Sequence, residues 1–475
     1  MKEIGIFNNS FREKKAVMAQ KSTHELDILN GPILKKYILF LIPLALGYIL
    51  QLLFNAADVI VVGQFAGATA LAAVGSTTAL VNLYLNIYTG LATGVNILTA
   101  RAYATGDNES TKDIVHTSMG LSFVVGVIFL VVGLLTVHPL LVMTGTPTDI
   151  LDMASLYLRI YCLSMPASVV YNFGASVLRS IGDTKRPMYY LLGAGVVNLI
   201  INLFTVIVLN MGVAGVAIGT AVSSYVSAIL VVITLMREES SLKLYLNKMR
   251  LDGKVVKDIL QFGIPVAVQN SMFSIPNIMI QSAINSFGSL YVAGNSAAQS
   301  LEGFQIAFLT ANGIGAATFI SQHVGAGKYK RADRVLRTIL ICSTVISLAI
   351  GVIFVVLRVP LLGLYNRNIT VIGIASRRLI ITALTDFLDA AMCIISNTIR
   401  GYGKSVPPMV ITLIFVCGFR MVWLLLLFPF FKVFEFVIMA WPVSWILAIP
   451  VLYIYYRKIR RYYPDTDREE AAATV

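Results

Sequence analysis

Leu178-Arg179-Ser180-Ile181-Gly182-Asp183-Thr184-Lys185-Arg186-Pro187-Met188 is a phrase the chain uses twice. It returns 221 residues later as Ile399-Arg400-Gly401-Tyr402-Gly403-Lys404-Ser405-Val406-Pro407-Pro408-Met409. Arg179, Gly182, Pro187 and Met188 find identical partners. The same offset pairs Gly67 with Gly288, Thr89 with Thr310, Gly94 with Gly315 and Gly106 with Gly327; an offset of 222 pairs Pro43 with Pro265 and Asn55 with Asn277. The chain is a duplicated unit, and internal duplication in a membrane protein is a signature of transport folds.

The membrane assignment follows from composition. Hydrophobic residues make up 57% of the 475 positions and charged residues 13%, against about 25% charged in soluble domains. Twelve apolar segments approach the roughly 20 residues needed to cross the hydrocarbon. They fall at about 37–63, 68–100, 114–137, 151–178, 188–209, 212–236, 258–286, 290–321, 334–357, 371–399, 408–430 and 433–456. The expected fold is an all-α integral membrane protein. Six spans separate repeat partners, so the two six-helix bundles share an orientation and are related by a pseudo-two-fold axis along the membrane normal. The expected divisions are a tail (1–34), a first lobe (35–236), a basic linker (237–257), a second lobe (258–456) and a second tail (457–475).

Lysine and arginine collect in the N-terminal tail and after spans 2, 4, 6, 8 and 10. Arg237, Lys243, Lys248, Arg250, Lys254 and Lys257 follow span 6; Lys328, Lys330, Arg331 and Arg334 follow span 8. The positive-inside rule places these segments, and both termini, in the cytoplasm of a cell with this protein in its plasma or inner membrane. The exception is the ninth connection, with Arg358, Arg367, Arg377 and Arg378. The net charge of +13 then lies against anionic lipid headgroups, which accounts for it without nucleic acid. No signal peptide is apparent, and the first long apolar run reads as a retained anchor.

Chemistry-bearing motifs are sparse. Cys162, Cys342, Cys393 and Cys417 all fall in spans without CxxC spacing and read as small packing residues. The histidines lack metal-ligand spacing, and neither a nucleophile elbow nor a phosphate-cradling glycine loop is present. An enzyme is therefore not expected, no cofactor is required, and any work must draw on an ion or substrate gradient.

These residues resemble the multidrug and toxic compound extrusion (MATE) transporters of the MOP flippase superfamily. The resemblance covers about 35–456. It rests on Pro43, Asn55-Ala56-Ala57-Asp58 and Gly63-Gln64 in span 1, the Arg179 phrase, Gly212-Val213-Ala214-Gly215 opening span 6, and Arg400-Gly401-x-Gly403. It implies a V-shaped pair of lobes and export of lipophilic, often cationic compounds in exchange for H+ or Na+. It also implies that Asp58 is the family's span 1 acid and Asn198 its span 5 asparagine, while Asn202 stands where the proton-driven archaeal branch has an aspartate. Asp389, eleven residues before Arg400, has the spacing of the span 10 aspartate in the sodium-coupled branch. That branch's span 7 glutamate is replaced here by Phe273, and Glu302 in span 8 is the candidate to supply the missing carboxylate.

The residues themselves lead to the same acids. A carboxylate at mid-helix depth costs roughly 2.5–3.5 kcal/mol on insertion scales, so it should face a cleft or a partner. Asp58, Glu302, Asp386 and Asp389 are such groups, and Asp386 and Asp389, three apart, share a helix face. Asp58, Asn198, Asn202, Glu302, Asp386 and Asp389 are thus the candidates for cation or proton coupling. Arg420 is a candidate counter-ion for the span 10 aspartates. Gln269, Gln281 and Asn285 in span 7, with Asn82 and Asn86 in span 2, are candidates for substrate contact, with helix-to-helix hydrogen bonding as the alternative. The Arg179 and Arg400 phrases read as scaffold corners, and Pro43, Pro265 and Pro276 as kinks.

The expected cycle is alternating access by a monomer. A lipophilic cation or drug rests on aromatic and methionine surface near the acids, and ion binding displaces it as the lobes rock. The alternative is a flippase of lipid-linked precursors with the same topology. It needs a cationic cleft, whereas the spans are read as supplying more acids than bases.

Overall fold

The computed structural model describes residues 25–464 and Asp467. The basic stretch 2–21 and most of the C-terminal tail lie outside the described residues. Every described element is helical, and each expected span is a helix or consecutive helices. Span 1 runs Ile33–Val61 and ends in a π-helical turn, Val62–Ala66. Span 2 is Ala68–Thr105, span 3 Asn108–Met143, and span 4 Thr148–Leu163 with Met165–Ser180. Span 5 is Lys185–Leu203 with a π turn at Phe204–Val208, and span 6 is Gly212–Arg237. Span 7 comprises Gly253–Met272 and Ser274–Asn285, span 8 Ser289–Gly325, span 9 Tyr329–Val356 and span 10 Ile369–Gly401. Span 11 starts at Val406–Thr412 and reaches Trp423–Leu427, and span 12 comprises Phe434–Ile438 and Ala440–Arg460.

Pro43 and Pro265 sit inside continuous helices. The breaks fall elsewhere: span 4 bends by 45° at Ser164, two residues before Pro166, and span 7 is divided at Phe273, three before Pro276. A proline has no N–H to donate to the carbonyl four residues earlier and its ring crowds that carbonyl, so the prolines that break a span do so upstream of themselves.

The duplication is written in the backbone. Gly67 and Gly288 have φ of 88° and 97°, Gly106 and Gly327 have 75° and 72°, and Gly182 and Gly403 have 91° and 89°. These repeat pairs occupy a region closed to most side chains. The turn around each phrase is also matched, with Gly182 N–H donating to the Arg179 carbonyl (2.9 Å) and Gly403 N–H to the Arg400 carbonyl (2.8 Å).

The lobes meet mainly along spans 1, 2, 7 and 8, most closely over the halves nearest the basic connections. There, small residues let the backbones touch. A Cβ on Gly90 would lie 2.5 Å from Ala267 Cα, one on Gly94 2.6 Å from the Ile259 carbonyl oxygen, and one on Gly263 2.7 Å from Leu91 Cα. Polar contacts cross the same seam. Thr318 donates to Asn96 Oδ1 (2.9 Å), Tyr37 to Asn312 Oδ1 (2.7 Å), Arg101 to the Gly401 carbonyl (2.9 Å) and Gln322 to the Ser180 carbonyl (2.5 Å). Toward the other end, Leu53, Ile60, Leu83 and Ile306 are exposed. The molecule is closed at its basic end.

The basic linker is held to the first lobe. Glu238 is buried and takes Arg186 (2.8 Å), Arg250 pairs with Asp113 (2.7 Å), and Tyr245 N–H donates to His116 Nε2 (3.1 Å). At its end Asp252 caps span 7, accepting from Lys254 and Val255 N–H, and these backbone donors hold its carboxyl below the usual range.

Candidate functional site

A cavity of about 640 Å³ lies between the lobes, lined from spans of both. Gln269, Asn86, Glu302, Asp386 and Asp389 are on its wall. The helical repeat carries Asp386 and Asp389 to one face of span 10, as their spacing requires. Neither has a basic group within salt-bridge distance among the described residues. Arg420, expected as their counter-ion, makes no such pair: its Nε donates to Ser444 (3.0 Å) and its guanidinium lies 5.7 Å and 5.8 Å from the ring centres of Trp441 and Trp445.

Glu302 is not a free carboxylate. Arg378 grips it with two nitrogens, Nε to Oε1 (2.8 Å) and Nη2 to Oε2 (2.6 Å), and the Thr382 hydroxyl adds a third bond (2.7 Å). Arg378 also donates to Asn295 and lies over the Trp441 ring. This places Arg377 and Arg378 inside span 10, which begins at the Asn368 cap, and takes them out of the ninth connection. Arg378 and Thr382 are four residues apart, the helical spacing at which both reach one partner. Glu302→Ala should leave a buried guanidinium without its carboxylate and lower stability by about 3–5 kcal/mol, while joint replacement of Glu302 by Leu and Arg378 by Met should recover most of the loss. Thermal unfolding of the detergent-purified variants measures this; an unchanged midpoint for Glu302→Ala would remove the pair from the account of stability.

The first-lobe acid forms a separate cluster, off the cavity wall. Asn202 Nδ2 donates to Asp58 Oδ1 (2.6 Å). With its amide nitrogen turned to the carboxylate, Asn198 donates to the same oxygen (2.8 Å) and accepts from Thr220 N–H (3.2 Å). Gly219 of span 6 makes room, since a Cβ there would fall 1.9 Å from Asn202 Oδ1. Both π turns, Val62–Ala66 and Phe204–Val208, follow within a turn or so of these residues, and such turns recur at functional sites.

The polar residues of spans 2 and 7 divide. Gln269 faces the cavity and accepts from Arg400 (2.5 Å). Gln281 and Asn285 do not line it: Gln281 donates to Asn285 (2.8 Å) and accepts from Asn295 of span 8 (3.0 Å), a helix-joining arrangement. Asn86 is on the wall and Asn82, an exposed residue, is not.

The expected preponderance of acids in the cleft is overturned. Arg179, Arg378, Arg400 and Arg420 are all on the wall, against Glu302, Asp386 and Asp389. Arg179 and Arg400 occupy the last turns of spans 4 and 10, positions that read as corners facing the cytoplasm. Their side chains are instead 6% and 4% exposed. The available signal was the repetition of an arginine where a scaffold turn needs only glycine and proline.

A duplicated bundle of membrane-crossing helices with a polar cavity between its lobes defines a membrane transporter of the two-lobe, twelve-helix kind. The MatE family model matches residues 43–204 and 265–425, one stretch in each lobe, and the chain belongs to the MatE family. It is 27% identical over 429 residues to "Probable multidrug resistance protein YoeA" of Bacillus subtilis (strain 168), covering 88% of this chain and 92% of that one. It is 26% identical over 385 residues to "Probable multidrug resistance protein NorM" of Thermotoga maritima, covering 78% and 81%. Among solved structures, the outward-facing conformation of a multidrug resistance MATE family transporter of the MOP superfamily superimposes with a TM-score of 0.85 at 20% identity, covering 93% of this chain and 99% of that one.

Proposed function

We propose that this protein exports lipophilic drug-like compounds, cations among them, across the cell membrane in exchange for H+ or Na+. The observation that carries this reading is the pair of unpaired carboxylates, Asp386 and Asp389, on the wall of a cavity closed at one end by a glycine-packed seam. A cargo cation and a coupling ion compete for these two groups, which makes the exchange obligatory. The names of the relatives support drug export. The lysines and arginines after spans 6 and 8 support a cytoplasmic location for the closed end and for both termini, so the structure is read as open to the outside.

Dye accumulation inside everted vesicles, where cellular export becomes uptake, tests this under an imposed H+ or Na+ gradient. One gradient should accelerate export at least about tenfold over the other and over none. Export indifferent to both would sink antiport and favour a flippase-like, gradient-independent carrier.

A further inference from the structure

Pairing off the charges of the cavity wall leaves an excess that the proposed cation exchange does not use. Arg378 is neutralised by Glu302. Arg179, Arg400 and Arg420 have no carboxylate within 4 Å among the described residues, and face only Asp386 and Asp389 across the same cavity. A guanidinium cannot shed its proton in a protein, and an uncompensated one at membrane depth is expensive to keep.

Arg179 and Arg400 stand apart from the rest. They are repeat partners, one from each lobe, and both reach the cavity from its closed end. Each is more than nine-tenths buried, and the Nε of each lacks a hydrogen-bond acceptor. Arg400 is fixed by Asn397 (3.0 Å) and Gln269 (2.5 Å), both also on the wall. Arg179 lies 5.9 Å from the ring centre of Tyr48, which orients it without neutralising it. Both guanidiniums are on the cavity wall without a carboxylate of their own among the described residues, and a carboxylate or phosphate is the usual partner of such a group.

We propose that Arg179 and Arg400 form an anion-binding subsite at the closed end of the central cavity, which takes the carboxylate or phosphate of an amphipathic cargo. The inference rests on the reading of this cavity as the cargo site, and narrows its cargo to molecules that carry an anionic group beside an apolar or cationic body. Asp386 and Asp389 then receive the cationic part, and the Trp441 and Trp445 rings the apolar part. A compound bearing both charges satisfies both sets at once.

Two dyes that differ only at one carboxyl separate the possibilities: rhodamine 110, the free acid, and rhodamine 123, its methyl ester. Binding to purified protein is read by fluorescence polarisation. The free acid should bind about tenfold more tightly than the ester. Arg179→Gln should weaken the free acid about tenfold and the ester less than about twofold, and Arg179→Lys should keep most of the preference, which shows that the fold is intact. Octyl phosphate and octanoate, added as competitors, distinguish the head groups; displacement of the free acid by either one in the wild type but not in Arg179→Gln supports the subsite. Equal binding of both dyes, unmoved by Arg179→Gln, would overturn the subsite and leave the cavity as a cargo site. Failure of both dyes to bind would overturn the cargo site and the subsite with it.

Discussion

Gly94→Leu should abolish export in a protein that still folds. A Cβ at position 94 falls 2.6 Å from the Ile259 carbonyl oxygen and 2.8 Å from Gly263 N. Both are backbone atoms, which cannot turn aside as a side chain would. Overpacking by a methylene or so already costs about 1–3 kcal/mol where neighbours can yield, and leucine adds four carbons where they cannot. About 5.5 kcal/mol is enough to turn a 99:1 preference into 1:99. The variant is therefore barred from the form closed at the basic end, while a form with the seam parted accommodates the new side chain. Asn96 and Thr318, in contact across the seam, supply the readout. In a background lacking the four native cysteines, the pair Asn96→Cys and Thr318→Cys should cross-link readily, and adding Gly94→Leu should slow that cross-linking at least about tenfold. Normal export by Gly94→Leu would mean that the seam need not close for transport.

Asp389→Asn should uncouple export from its ion gradient. Asparagine keeps the size of the side chain but can hold neither a proton nor a negative charge. An ion drives a conformational change only through its unequal affinity for the two forms, and removing its ligand removes that inequality. Because Asp389 is on the cavity wall, cargo affinity should fall with it, and gradient-driven export by at least about tenfold. Asp58→Asn should behave differently. Asp58 is engaged by Asn198 and Asn202 within the first lobe and is off the wall, so binding of a lipophilic cation such as tetraphenylphosphonium should persist while its dependence on pH or Na+ weakens. Wild-type coupling in both variants would refute carboxylate-based exchange.

Much of this arrangement was legible before the fold. Apolar run length located eleven of the spans, the bent fourth counted as one, because the bilayer sets a length that sequence alone displays; the polar, broken span 7 is not apolar enough by that measure. Repeat partners fixed the two-lobe plan, and their glycines proved to share backbone angles as well as identity. Asp58, Asn198 and Asn202 were singled out separately and meet in space; Asp386 and Asp389 were placed on one face and are. What failed was the partnering of charges. Arg378 is 76 residues from Glu302 in the chain, and nothing local ties them. Arg179 and Arg400 belong to turns, where a basic residue ordinarily looks toward water, so their inward aim depends on how the spans cross. Gln281 and Asn285 carry the same amide chemistry as Gln269, and only rotation about the helix axis decides which of them reaches the cavity.

The two halves agree in their glycine corners and in one arginine each, yet they part in their acids: Asp386 and Asp389 belong to one side of the cleft, while the acid of the other half is folded away inside it. A pair of separate, identical six-helix subunits would be obliged to mirror every wall, so that carboxylates faced carboxylates across the axis. Joining both copies in one polypeptide lifts that obligation. It lets a molecule meet unlike surfaces to its left and right, and so be held in a single orientation as it crosses.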